Sequence, residues 1–216
     1  MRVIPREVQA FATNSTPIRE MRSALTLSVL QREVLVGSIL GDGCLVANSW
    51  KKNYRLKMEQ CEAQRRYLFR KYALFKNFTL SSPHNRIETQ AWSFRTISHP
   101  QFTNYHELFY RYGKKVVPAS IGELLIAPIS IAVWYMDDGM LNSRKDSVLL
   151  NTQSFSYKEN EMLKQCLKRN FGIEATIVRN KKYWMLYIRK QYAPVFMRLV
   201  KRHVTDLMSE KLLVTP

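Results

Sequence analysis

Ile131-Ala132-Val133-Trp134-Tyr135-Met136-Asp137-Asp138-Gly139 is an apolar run that closes on two carboxylates and a glycine. An earlier stretch, Leu35-Val36-Gly37-Ser38-Ile39-Leu40-Gly41-Asp42-Gly43, ends in the same way. Laid over each other, the two place Asp42 and Asp138 in register, 96 positions apart. A helix that is apolar on nearly every face is buried on nearly every face. Its terminal acid is therefore expected near the middle of the molecule. There it faces the negative end of the helix macrodipole, at a cost of about 0.3–1 kcal/mol. One Asp-Gly is ordinary turn chemistry; two, each ending an apolar helix, call for another cause. Helices packed side by side would bring the carboxylates together and raise one pKa by repulsion. A hard divalent cation resolves that conflict, because carboxylates and freed helix-end carbonyls are suitable oxygen ligands. Gly37, Ser38 and Gly41 keep one flank of the first helix small, so another backbone can approach closely, although each Gly costs about 1 kcal/mol of helix propensity.

The charge balance narrows the substrate. The 216 residues carry 34 Lys and Arg against 17 Asp and Glu, a formal +17. Such an excess works against the compact state unless a polyanion is the normal partner. Nucleic acid is the first candidate and an acidic membrane surface the second. Paired carboxylates with a metal, on a chain of this charge, point to phosphodiester hydrolysis. The 46% hydrophobic content is enough for a real core, and the length suits one large domain or two small ones. Cys44, Cys61 and Cys166 are scattered, and the four histidines show no ligand spacing, which speaks against structural zinc and a disulfide framework and for a reducing compartment. No apolar run approaches the ~18 residues needed to span a bilayer, so no membrane role is expected. Arg2, Arg6, Arg19 and Arg22 stand among Ser and Thr at the start, but Glu7 and Glu20 argue against a transit peptide. The opening stretch reads as a mobile N-terminal arm.

Periodicity supplies the elements. Ser28 to Leu40 opens with S-V-L-Q, a capping-box spacing, and continues as a helix. Residues 44–50 and 54–60 read as a hairpin, with Arg55, Lys57 and Glu59 on one face and Leu56 and Met58 on the other. An amphipathic helix with a basic outer face follows over Glu62 to Phe78, then a hairpin over Arg86 to Ile97, then a helix over Phe102 to Tyr112 closed by Gly113. The order then restarts. Pro128 suits a first turn and Ile129 to Asp137 a helix. Met140–Asn142 and Val148–Gln153 form a hairpin across a polar turn, and Ser156–Phe171 a helix stopped by Gly172. Ile173–Arg179 and Tyr183–Arg189 are strands, and Ala193–Val204 is the last helix, before a tail that carries Lys211. Helix, hairpin, helix, hairpin, helix thus occurs twice. Gln60 and Gln153 close corresponding strands, and Lys115 and Lys211 follow corresponding helices. A duplication explains the matched order. The expected organisation is an arm over residues 1–25, a first repeat over 26–124 and a second over 125–216. Trp50, Trp92 and Trp184 are expected to pack under the sheets.

The two nine-residue stretches resemble the twin signatures of the LAGLIDADG family of homing endonucleases, in its single-chain, two-repeat form. Leu40 stands where the first acidic letter of the motif falls, and Val133 replaces a family glycine. The likeness extends to Trp134–Gly139, to Leu150-Asn151-Thr152-Gln153-Ser154-Phe155 and to Lys114-Lys115 before Pro118, which resemble the branch typified by the monomeric yeast-mitochondrial intron enzyme. It covers residues 27 to 213.

The resemblance implies an α+β fold: two pseudo-symmetric αββαββα repeats, joined at the two-helix interface, whose antiparallel sheets form a DNA-binding saddle. It implies Mg²⁺ held by Asp42 and Asp138 with the carbonyls of Gly41 and Asp137. Lys115 and Lys211 match the family's active-site lysines, and Gln60 and Gln153 its solvent-orienting polar residues. The activity implied is site-specific cutting of double-stranded DNA at a long asymmetric site by a monomer, leaving 3′ overhangs. Outward basic side chains offer DNA contacts, most of them to phosphate. These are Arg55, Lys57, Arg86, Arg95, Arg144, Lys145, Arg179, Lys181, Lys182 and Arg189. An intron-RNA-binding maturase and a non-catalytic DNA-binding protein are the alternatives. The presence of both aspartates and both lysines favours the nuclease. An intracellular setting is implied, in a mitochondrion, a chloroplast or a microbial cytoplasm.

Overall fold

Ser28 opens the first long helix as the S-V-L-Q spacing predicts. Its Oγ accepts from the Gln31 backbone N–H at 3.1 Å, while the Gln31 side chain accepts from the Ser28 N–H at 2.9 Å. In the computed structural model the described residues are 16–49, 51–86, 90–204 and 206–212. Trp50 and most of the N-terminal arm lie outside them; residues Thr16–Ala24 form a helix, α1. Among the described residues the chain makes two compact units, one from Met1–Arg32 with Gly43–His106 and one from Glu33–Asp42 with Glu107–Pro216.

The first unit is built on a four-stranded antiparallel sheet of β1 (Cys44–Ala47), β2 (Tyr54–Cys61), β3 (His84–Arg86) and β4 (Ala91–Arg95), in the order β1-β2-β4-β3. Helix α2 (Val29–Leu40) begins in this unit, and α3 (Arg65–Phe75) packs on β2 and β4. Leu56 and Met58 are buried, while Arg55, Lys57 and Glu59 stay half-exposed on the other face. Leu68, Phe75, Phe78, Phe94 and Phe102 complete the core. Trp92 leans on Phe69 of α3 edge to face, with the Arg65 guanidinium 4.1 Å over its ring. The helix expected over Glu62 to Phe78 is α only in its middle. Its first and last three residues tighten to 3₁₀ geometry.

The second unit repeats the arrangement with β7 (Gly139–Leu141), β8 (Val148–Leu150), β9 (Ala175–Asn180) and β10 (Tyr183–Ile188), in the order β7-β8-β10-β9. Between its two hairpins runs α7 (Tyr157–Phe171). It starts at a capping box of Ser156 and Glu159 and stops at Gly172, whose φ of 66° is left-handed. Trp184 sits edge to face on Tyr157 of that helix. The last helix, α8 (Ala193–Val200), ends four residues before the expected Val204, and Asp206–Lys211 is 3₁₀. No helix among the described residues is long and apolar enough to cross a membrane.

Two further expectations are corrected. The helix over Phe102 to Tyr112 is α4 (Pro100–Phe109), and Gly113 does not close it. Tyr110–Arg111 (β5) and Lys114–Lys115 (β6) pair instead as a tight hairpin. Its two turn residues, Tyr112 and Gly113, have φ of 51° and 76°. Positive φ at both is what a two-residue turn needs to match strand twist. A Tyr-Gly after an amphipathic run fits either ending, and only the pairing across the turn decides. Gln153, expected to close a strand, lies three residues beyond β8 and is exposed, whereas Gln60 lies inside β2 and is buried.

Candidate active site

The end of α2 and all of α6 (Pro128–Asp138) belong to the second unit and pack closely. A Cβ placed on Gly37 would stand 2.2 Å from the Ser130 carbonyl oxygen and 3.0 Å from Val133 Cβ. One placed on Gly41 would meet Asp137 Cβ at 2.5 Å. Gly37 and Val133 hold the same position of the two motifs, as do Gly41 and Asp137. The close approach is therefore one-sided. Gly37 of α2 and Gly41 just past its end receive the larger residues of α6, which is how Val133 is accommodated where a small residue was expected. Ile131, Ala132, Trp134 and Tyr135 are wholly buried, as an apolar helix requires. Gly139 is needed for space and not for its φ of −92°, since the Tyr135 ring occupies the place of a Cβ.

This packing brings the motif acids together at two helix C-termini, with an ammonium group beside each. Lys115, carried by the β5–β6 hairpin, donates from Nζ to the Gly41 carbonyl at 2.6 Å. Lys211 donates to the carbonyls of Met136 at 2.6 Å and Gly139 at 2.9 Å. Both cations satisfy helix-end carbonyls and offset the macrodipole. The Tyr135 hydroxyl in turn donates to the Lys211 carbonyl, tying the 3₁₀ segment to α6. Asp137 uses its side chain as well as its backbone: Oδ2 accepts from the Asp42 N–H at 3.4 Å. Burial, then the charges of Asp42 and Asp137, push the Asp138 carboxyl up to about 7, against the pull of Lys115 and Lys211. Burial holds the Lys211 ammonium below its usual range, against the opposing pull of Asp137, Asp42, Glu210 and Asp138.

The donor chemistry suits a hard cation. Among the described residues no three His, Cys, Asp or Glu side chains form a ready cage. Two carboxylates with carbonyls match a Mg²⁺-type site, which borrows the remaining oxygens from substrate phosphate and water. The Gly41 carbonyl has a second lone pair beyond the one that Lys115 uses.

The basic candidates fall on both sheets. Arg55 and Lys57 lie on β2, Arg95 is the register partner of Lys57 on β4, and Arg86 is on β3. Glu59 pairs with both Lys57 and Arg86, at 3.0 and 3.2 Å. Arg144 and Lys145 are exposed at the β7–β8 tip, and Lys181 and Lys182 at the β9–β10 tip. Arg179 lies near the end of β9, its Nε donating to the Lys181 carbonyl at 2.9 Å, and Arg189 follows β10. Two participants escaped the sequence reading: the Tyr135 hydroxyl, which no local pattern singles out, and the Asp137 carboxylate, since Asp137 was expected to act through its backbone carbonyl.

Two copies of one sheet order, with paired aspartates where their apolar helices end, define a LAGLIDADG scaffold. The chain belongs to the LAGLIDADG DNA endonuclease family, whose model matches residues 32–196. It is 27% identical to the probable intron-encoded endonuclease 1 of Wickerhamomyces canadensis, over 96% of this chain and 95% of that protein. It is 26% identical to the cytochrome b mRNA maturase bI2 of Saccharomyces cerevisiae, over 93% of this chain but only 51% of the maturase. The solved structure of the homing endonuclease I-WcaI bound to its DNA recognition sequence superimposes with a TM-score of 0.88 over the whole of both chains, at 26% identity.

Proposed function

We propose that this protein is a monomeric, Mg²⁺-dependent homing endonuclease that cuts both strands of a long asymmetric DNA site and leaves 3′ overhangs. One observation carries the reading: Asp42, Asp138, Lys115 and Lys211 meet at the ends of α2 and α6, each lysine held by the carbonyls of one helix end. A divalent cation at Asp42 and Asp138, helped by the carbonyls of Gly41 and Asp137, would supply Lewis acidity toward the scissile phosphate. The chain's own groups do the rest. The lysines keep positive charge beside the place where phosphate charge grows. Tyr135 fixes the segment that carries Lys211. Gln60 and Gln153 orient solvent, and the ten basic residues hold the duplex by phosphate and base-edge contacts. The two repeats are read as residues 26–124 and 125–216, with the preceding residues as an arm. The setting is intracellular, in an organelle or a microbial cytoplasm.

The likeness to a cytochrome b mRNA maturase supports a second reading, binding of intron RNA. Both aspartates and both lysines are retained, which favours cutting. Cleavage of a DNA library with and without Mg²⁺ tests the reading. Asp42→Asn and Asp138→Asn should each abolish double-strand cutting and leave specific DNA binding within a few-fold. Full cutting by both variants would overturn it.

A further inference from the structure

Among the described strands of the two four-stranded sheets, Glu59 is the one acidic residue. It lies on the face of the first sheet that α3 leaves uncovered. Leu56 and Met58 of β2 are buried, Trp92 and Phe94 of β4 meet Phe69 and Tyr72 of α3, and Lys57 and Glu59 point the other way. In register, Lys57 stands opposite Arg95 and Glu59 opposite Ser93 on β4, and Ser93 opposite His84 on β3. A carboxylate on a face that meets a polyanion repels every phosphate near it. The fold nevertheless fixes this one in place: Oε2 takes the Lys57 ammonium at 3.0 Å and the Arg86 guanidinium at 3.2 Å. The Lys57 hydrogen bond, against the opposing effect of burial, and then Arg86 hold its carboxyl below the usual range. Half-exposed pairs of this kind contribute about 0–1 kcal/mol to stability, too little to account for an acid placed here. Ionised, Glu59 is purely an acceptor with about four acceptor sites, and an ammonium has three donors, of which its bond to Glu59 uses one.

We propose that Glu59 and Lys57 together read one C·G base pair in the major groove, Glu59 accepting from the cytosine N4 amino group and Lys57 donating to O6 and N7 of the paired guanine. The duplex is the substrate of the function proposed above, on which this assignment rests. The major groove, about 12 Å wide, admits a two-stranded antiparallel ribbon such as β2 with β4. Across a C·G pair its edge runs donor, acceptor, acceptor, the order that a carboxylate beside an ammonium complements. An A·T pair also offers a donor beside an acceptor, but there adenine N7 would face the carboxylate and the thymine methyl the ammonium. Glu59 thus sets specificity at a cost in affinity for DNA at large.

Selection of bound duplexes from a randomised library, with the full chain in EDTA, reads binding without cutting. Glu59→Gln should lose a cytosine preference that the wild type shows at one position and move it toward adenine, whose N6 and N7 match a carboxamide. The other positions should keep their preferences. Discrimination of C·G from A·T at that position should fall by roughly 5- to 100-fold. A duplex without the site should bind the variant no more weakly than the wild type, because a repelling charge has gone. Glu59→Asp keeps the charge on a shorter side chain and should retain cytosine with weaker discrimination. Glu59 is half-exposed, so both variants should keep the wild-type thermal midpoint to within a few degrees. An unchanged base profile in both variants, or an equal change in affinity for every sequence, would mean that Glu59 only organises Lys57 and Arg86, and overturns the assignment. A wild type that binds no duplex refutes the nuclease reading and this assignment with it. A wild type that selects a site, which Glu59→Gln then reads identically, refutes the assignment alone.

Discussion

At the residue scale the informative group is Asp138, whose carboxyl is pushed up to about 7 by burial and by two neighbouring acids. An acid with a folded pKa above its unfolded value stabilises the fold only while protonated. That contribution is complete below the unfolded value near 4 and is lost as pH rises through about 7. In EDTA the thermal midpoint should therefore fall over that window, and Asp138→Asn should flatten the decline. Added Mg²⁺ at pH 8 should raise the midpoint of the wild type far more than that of the variant, since a cation favours the ionised form. Scanning calorimetry across pH, with and without Mg²⁺, checks both statements. His99 has the opposite sign. Its Nδ1 accepts from the Gln101 N–H at 3.2 Å and its Nε2–H donates to the Arg22 carbonyl at 3.0 Å, so the neutral ring is fully satisfied. Burial is the main cause holding its pKa below 6.5. The stability it confers is present above 6.5 and disappears as pH falls below that value. Hydrogen exchange in α1, which it tethers, should accelerate on acidification, and a His99→Gln variant should lose most of that pH dependence.

At the element scale, the contact between α2 and α6 is a fit of glycines against larger residues. Gly37→Ala puts a methyl group into the Ser130 carbonyl and should destabilise by about 1–3 kcal/mol, as overpacking does in tight interiors. The urea midpoint measures it, and double-strand cutting should decline as the aspartates move apart. An undisturbed midpoint would mean that the helices do not approach as described. The β5–β6 hairpin has a related task. Its two left-handed turn residues place Lys115 against the Gly41 carbonyl, so a Gly that reads as a helix stop instead positions a charged side chain.

For the whole molecule, a +17 chain should bind duplex DNA with a strong dependence on salt. If six to ten of the basic candidates meet phosphates, affinity should fall by about 10³- to 10⁵-fold between 50 and 200 mM salt. Fluorescence anisotropy at several salt concentrations gives the slope. A slope near −1 would mean that the charge is not directed at the backbone.

Local pattern determined a great deal. The Ser28–Gln31 box, the alternation through Arg55 to Glu59, the Gly172 stop and the repeat that aligns Asp42 with Asp138 are all legible in the chain, because each depends on residues a few positions apart or on direct self-comparison. Whatever depends on distant residues had to wait for the tertiary structure. Val133 fits because Gly37 faces it, and the Asp137 carboxylate reaches the Asp42 N–H because Gly41 leaves room. Tyr135 matters because Lys211 comes back to it. Periodicity reports which face is buried but not what lies opposite, and charge neutralisation, close approach and pKa are all set by what lies opposite.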